Sequence, residues 1–246
     1  MSLYPVIILA GGIATRLHPL TQKLPKALVN VGGQPFIAHQ LRLLYSSGIR
    51  HVIISAWYRG GMIREFVGNG DRFGMKVEYV FDGDVPLGTG GAIRHALNLL
   101  HGPFFVLYGD SYLPCEYGAI NSFFAAADKP GLMTVYRNQN EWDSSNVEMA
   151  EGRILSYDKE KRTPRMEYID YGLGVFRPEA FAFLPEGQSA DLAQIYRKLV
   201  TDHNLLAYEV KQRFYEIGSK EGLRELDDLL TRDPDRFLIK KNSGPN

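Results

Sequence analysis

From the N-terminus to Tyr136, short apolar runs bounded by Gly, Pro and Asp alternate with segments whose apolar positions recur at helical spacing. Val6–Ala10, Val52–Ala56, Val77–Phe81, Phe104–Tyr108 and Leu132–Tyr136 read as strands. Between them, Pro35–Ser46 gathers Phe36, Ile37, Gln40, Leu41, Leu44 and Tyr45 on one helical face, and Gly91–Leu100 does the same with Ile93, Ala96, Leu97 and Leu100. This alternation predicts an α/β fold in which helices cover a mostly parallel central sheet. After Tyr136 the rhythm changes. Short strands at Asn146–Met149, Ile154–Tyr157 and Tyr168–Phe176 precede helices near Asp191–His203 and Ser219–Leu230, which suggests a small substrate-facing extension in the second half.

The 246 residues contain no internal repeat and no Pro/Ser-rich linker, so residues 1–238 are expected to share one core as a single domain, with 239–246 a disordered tail. Lys+Arg and Asp+Glu both total 28. With no net charge there is no global field to steer nucleic acid or an anionic membrane, and any anion binding must be local. The one cysteine, Cys115, excludes an intrachain disulfide and a multi-cysteine zinc site, and fits a reducing compartment. No basic leader precedes Val6 and no run approaches ~18 apolar residues, so neither export nor membrane insertion is expected and the cytoplasm is the default.

The first strand runs into Gly11-Gly12-Ile13-Ala14-Thr15-Arg16-Leu17. A glycine pair there lets backbone N–H groups approach phosphate oxygens, and the carboxyl ends of strands are where ligands bind in open α/β sheets. The pair could equally make only a tight turn. Arg16 and Lys26 place two cations near the same strand end, which favours the anion reading. Two common phosphate motifs fail on spacing: the turn lacks the order of a P-loop, and Gly88-Thr89-Gly90-Gly91-Ala92-Ile93 has Ile93 where a dinucleotide fingerprint needs glycine.

As an ordered set, Gly11 to Leu17, Pro19-Leu20-Thr21, Pro25-Lys26-Ala27-Leu28, Pro86 to Ile93, Leu107-Tyr108-Gly109-Asp110 and Phe214-Tyr215-Glu216-Ile217-Gly218 resemble the sugar-1-phosphate nucleotidyltransferase (nucleotide–sugar pyrophosphorylase) family. The resemblance implies a Rossmann-like α/β/α sandwich with a small sugar-binding extension. It implies that Gly11, Gly12, Thr15 and Gly109 line the nucleotide, that Arg16 holds the departing pyrophosphate and that Lys26 faces the reacting phosphates. Gly88 and Thr89 fall near the base or ribose, with Asp82 a further candidate. The sequence departs from the family at Ala14, where glycine is usual.

Asp110 follows an apolar strand, so its carboxylate projects beyond the sheet edge, where an oxygen ligand suits Mg²⁺; the alternative is a turn residue. Glu216 occupies the place of the family's second, usually aspartate, metal ligand. On the sugar side the resemblance points to Lys159, preferred over Lys161, for the sugar phosphate, and to Asp170 and Gly172 for the sugar. The alternatives there are an exposed charged loop and a core strand with a glycine bulge.

The activity implied is transfer of NMP from an NTP to a sugar 1-phosphate, with release of pyrophosphate. Among family members the chain is similar to heptose-1-phosphate guanylyltransferases, which favours GTP and D-glycero-D-manno-heptose 1-phosphate, and less so to N-acetylmuramate-1-phosphate uridylyltransferases. Transfer of another base to another sugar, a non-sugar acceptor, and a non-catalytic nucleotide-sugar-binding subunit remain open, as does a homo-oligomer.

Overall fold

The computed structural model describes residues 2–13 and 15–239. Ala14, the side chain of Thr15 and the tail 240–246 lie outside the described residues, and so do the expectations attached to them.

Nine strands form the main sheet: β1 (Val6–Leu9), β2 (His51–Ala56), β3 (Lys76–Phe81), β4 (Phe104–Tyr108), β5 (Gly131–Arg137), β6 (Val147–Ala150), β7 (Arg153–Tyr157), β8 (Tyr168–Phe176) and β9 (Leu205–Val210). In the first half β1 is flanked in parallel by β2 and β4, and β3 lies parallel beside β2. In the second half β8 runs against both β4 and β5, while β9 is parallel to β5. Strands β3, β2, β1, β4, β5 and β9 therefore share one direction, and the sheet is mostly parallel as the alternating pattern predicts.

β8 also builds the extension. Its second half, Leu173–Phe176, pairs with β4, but at its start Tyr168 pairs with Val147 of the antiparallel hairpin β6–β7. The register against β5 shifts between Asp170 and Gly174, and Gly172 sits in that bulge at φ +96°. A positive φ is costly for residues with a Cβ, which explains glycine there.

Among the described residues there are six α-helices: α1 (Phe36–Ser46), α2 (Gly60–Val67), α3 (Gly88–Ala96), α4 (Tyr117–Ala125), α5 (Leu192–Thr201) and α6 (Lys220–Arg232). Alternation along β1 sorts the layers. Val6 and Ile8 face a core with Ile37, Leu41 and Leu44 of α1, Ile63 of α2, and Ile120 and Phe124 of α4. Ile7 faces the opposite core, with Ile93 of α3 and Ile195 and Leu199 of α5. Each such fully buried aliphatic side chain stabilises the fold by about 1.5–3 kcal/mol. The result is an α/β/α sandwich, with α6 in a third cluster beside Phe36, Leu43, Tyr112 and Ile217.

Three elements are absent from the sequence reading, and α3 starts earlier than its pattern suggests. α2 opens with Gly60-Gly61, which reads as a turn, yet a Cβ on Gly60 would come 2.8 Å from the Ala56 Cβ. α4 (Tyr117–Ala125) and β9 (Leu205–Val210) are the other two, and β9 shows no alternation of buried and exposed positions. α3 begins at Gly88 rather than Gly91 because its glycines admit the chain before α5: Gly90 N and Gly91 N both donate to Ala190 O.

Candidate active site

The parallel strands end on one level, with Leu9 in register with both Ser55 and Tyr108, and Ala56 with Phe81. A cavity of about 370 Å³ opens beyond those ends. Of the residues singled out from sequence, Gly11, Gly12, Lys26, Asp82, Gly88, Thr89, Gly109 and Asp110 line it. Arg16 does not: it lies exposed in a 3₁₀ turn, Thr15–Leu17, outside the cavity wall. Ser55, Trp57, Pro86, Ala92 and Tyr108 line the cavity but were not singled out. Trp57 directly follows β2, so the strand-end logic applied to Asp110 would have found it.

The glycines of the cavity serve different ends. A Cβ on Gly12 would meet nothing within 4 Å, so this backbone stands open to a ligand. A Cβ on Gly109 would fall 2.4 Å from the Leu9 carbonyl oxygen, so glycine there lets two strands close up, with Gly109 N donating to Leu9 O at 3.0 Å. At Gly88 the obstacle is the Ala190 carbonyl oxygen, 2.6 Å from a Cβ. Thr89 spends its hydroxyl on the same junction, accepting from Leu192 N at 2.7 Å at the start of α5.

Asp82 accepts from Leu87 N at 2.9 Å through Oδ2, which closes the loop into α3. Its Oδ1 is buried without a partner among the described residues, and burial raises the pKa of the carboxyl above the usual range.

At the other end of the cavity, Lys26 Nζ donates to Asp110 Oδ2 at 2.9 Å. The segment that carries Glu216 is zipped onto the Asp110 turn: Tyr215 bridges Tyr112, Glu216 bridges Ser111, and Ile217 N donates to Asp110 O at 2.9 Å. The two predicted metal ligands, far apart in sequence, thus converge. A Cβ on Gly218 would lie 2.8 Å from Glu216 Oε2, 3.3 Å from Asp110 Oδ2 and 3.7 Å from Lys26 Nζ. The Glu216 carboxylate is folded onto the start of α6, where it accepts from Gly218 N, from Ser219 N at 2.9 Å and from the Ser219 hydroxyl at 2.5 Å. A helix N-terminus stabilises such an anion. Ser219 in turn caps α6 by accepting from Gly222 N at 2.9 Å.

The residues expected on the sugar side lie beside Tyr108. Lys159 Nζ sits 3.4 Å from the Tyr108 hydroxyl and 5.1 Å from that ring's centroid. Asp170 Oδ2 accepts from the Tyr157 hydroxyl at 3.2 Å, and Oδ1 from Gly172 N at 3.0 Å, so this carboxylate braces the β8 bulge. Burial raises its pKa, and the Lys159 ammonium pulls it back. Gly172 brings the chain close to Ser111, whose Oγ would be 3.3 Å from a Cβ. Asn146, not singled out from sequence, joins this group by accepting from Asp170 N at 2.9 Å through Oδ1.

The glycine-lined cavity thus lies beyond parallel strands, with Lys26 and Asp110 in its wall and Glu216 next to Asp110 but outside the lining. The chain belongs to the nucleotidyl transferase family, whose model matches residues 5–232. It is 26% identical over 220 residues to the mannose-1-phosphate guanylyltransferase of Mycobacterium tuberculosis, covering 87% of this chain and 61% of that one. It is 28% identical over 218 residues to the mannose-1-phosphate guanylyltransferase catalytic subunit beta of Danio rerio, covering 86% and 60%. The chain thus spans about three-fifths of the length of these curated relatives. In fold it is similar to a putative glucose-1-phosphate thymidylyltransferase from Bacillus anthracis, with TM-score 0.84, 20% identity, and 94% and 96% of the two chains covered. It is also similar to HddC from Yersinia pseudotuberculosis complexed with GMP-PN, with TM-score 0.75, 23% identity, and 93% and 100% covered. Among the described residues no helix is long and apolar enough to cross a membrane.

Proposed function

We propose that this chain is a sugar-1-phosphate nucleotidyltransferase that joins the NMP part of an NTP to a sugar 1-phosphate and releases pyrophosphate. The observation that carries this reading is that Lys26 and Asp110 line the glycine-rich cavity and Glu216 converges on them from behind, beside Gly218. The donor set fits Mg²⁺, a hard cation that takes one or two carboxylates and completes its shell with phosphate oxygens and water. Asp110 and Glu216 would hold it, and when bound it would neutralise charge on the triphosphate.

The backbone at Gly11 and Gly12 cradles phosphate oxygens, Lys26 turns from Asp110 to the reacting phosphates, and Arg16 receives the departing pyrophosphate from outside the cavity wall. The backbone at Gly109 completes the nucleotide wall, while Gly88, Thr89 and Asp82 border the base or ribose. Lys159 binds the acceptor's phosphate, and Asp170 and Gly172 face its sugar. The acceptor oxygen attacks the α-phosphorus in line, with pyrophosphate leaving opposite. That oxygen is already anionic near neutral pH, so alignment and charge neutralisation supply the catalysis and no general base is needed.

The relatives named as guanylyltransferases support GTP as the donor. The acceptor in their names is mannose 1-phosphate, and neither name supports the heptose favoured on sequence alone. The acceptor proposed is accordingly a manno-configured sugar 1-phosphate, a class that includes both. A pyrophosphate-release screen crossing four NTPs with mannose, heptose, glucose and N-acetylated sugar 1-phosphates tests this. The highest rate is expected with GTP and a manno-configured acceptor, and no release from any pair would overturn the reading.

A further inference from the structure

Helix α1 buries an apolar face, yet that face carries Gln40, which is 1% exposed. Its amide nitrogen Nε2 donates to Ser111 O at 2.8 Å and to Tyr108 O at 3.2 Å. These two carbonyls stand on either side of Gly109-Asp110, so one amide spans the turn that presents the Asp110 carboxylate. The other end of the same side chain is left unsatisfied: Oε1 is buried without a partner among the described residues. A lone buried acceptor costs stability, and an apolar residue at position 40 would avoid that cost. A residue that breaks the local packing rule this way marks a functional demand.

We propose that Gln40 is a positioning residue that fixes the Asp110 turn, and with it the divalent-cation site, from the α1 side of the sheet. The inference rests on Asp110 holding that cation. The turn is already tied by backbone on two other sides, through Gly109 N to Leu9 O and Ile217 N to Asp110 O. Neither of those ties engages the Tyr108 or Ser111 carbonyl, and Gln40 supplies a donor to each. Groups behind metal-bound carboxylates act in this manner, by fixing where the oxygens point.

The test uses the full chain as Gln40→Met, which keeps the length and loses both donors, and as Gln40→Glu, which donates one proton only while protonated. Asp110→Asn serves as control. Mn²⁺ binding to the protein alone is read from the free-ion electron paramagnetic resonance signal, beside thermal melting and turnover. Q40M is expected to melt cooperatively, to bind Mn²⁺ about 10- to 100-fold more weakly and to lose a similar factor in kcat, with KM for the nucleotide within about threefold of wild type. Q40E should match Q40M at high pH and recover part of both losses as the pH falls. Wild-type Mn²⁺ affinity and kcat in folded Q40M, or a Q40E variant equal to Q40M at every pH, would overturn the proposal. If D110N loses Mn²⁺ binding while Q40M keeps it, only the positioning role fails. If D110N binds Mn²⁺ like wild type, the metal reading of Asp110 fails first.

Discussion

The two halves of the site, which the proposed function assigns to nucleotide and to sugar, are built in different ways. The first is made of strand ends, glycine backbone and a few side chains fixed by the parallel sheet, and its wall is continuous from Gly11 to Asp110. The second hangs on an antiparallel hairpin and a bulge, and its parts meet through side chains: Tyr157 on Asp170, Asn146 on Asp170, Lys159 against Tyr108. Backbone-built sites serve a ligand common to many enzymes, whereas side-chain-built sites can be retuned by single substitutions. On the proposed function, the extension is where choice of acceptor would reside.

Substitutions that separate the halves sharpen this contrast. The largest effect is expected from Asp110→Asn, which removes a principal charge at the reacting phosphates and should lower kcat by ~10²-fold or more while thermal melting stays near wild type. Lys26→Met should also slow turnover strongly, yet bind Mn²⁺ more tightly than wild type in the absence of nucleotide, because Asp110 loses the ammonium now 2.9 Å away. Weaker Mn²⁺ binding in that variant would mean that Lys26 and the cation do not compete. Lys159→Ala should act on the other half alone. It is expected to raise KM for the sugar phosphate about tenfold with KM for the NTP unchanged, and equal effects on both would erase the boundary between the halves.

The smallest effect is on stability. Burial raises the pKa of Asp170, so its carboxylate costs folding free energy once it ionises in the native state. The native form is relatively favoured below the ordinary carboxylate range, and that advantage is lost as pH rises through the raised value. Asp170→Asn should remove this loss, giving a Tm that falls less than wild type between about pH 4 and pH 7. A wild-type pH dependence in D170N would show that Lys159 already offsets the burial.

The parallel half was legible because strand and helix periodicities are local. β1 to β4 and α1 appear in the sequence at nearly their observed bounds, and strand-end position alone then locates Gly11, Gly12 and Asp110. Contacts between distant segments carry no such local signal. Nothing near Gly88 announces that Ala190 approaches it, and nothing near Gln40 announces the Asp110 turn, although a glutamine on an apolar helix face was a visible oddity. Glu216 was located by resemblance, and its nearness to Asp110 depends on a two-residue bridge too short to be read from pattern.

That bridge has a consequence for synthesis. A nascent chain that has emerged only as far as Val210 holds all nine strands of the sheet and the glycine-lined cavity, but just one of the two acids. On the proposed function, such an intermediate would hold nucleotide before it could use it, and competence for chemistry would arrive late, when Tyr215 to Ile217 dock against a turn made a hundred residues earlier.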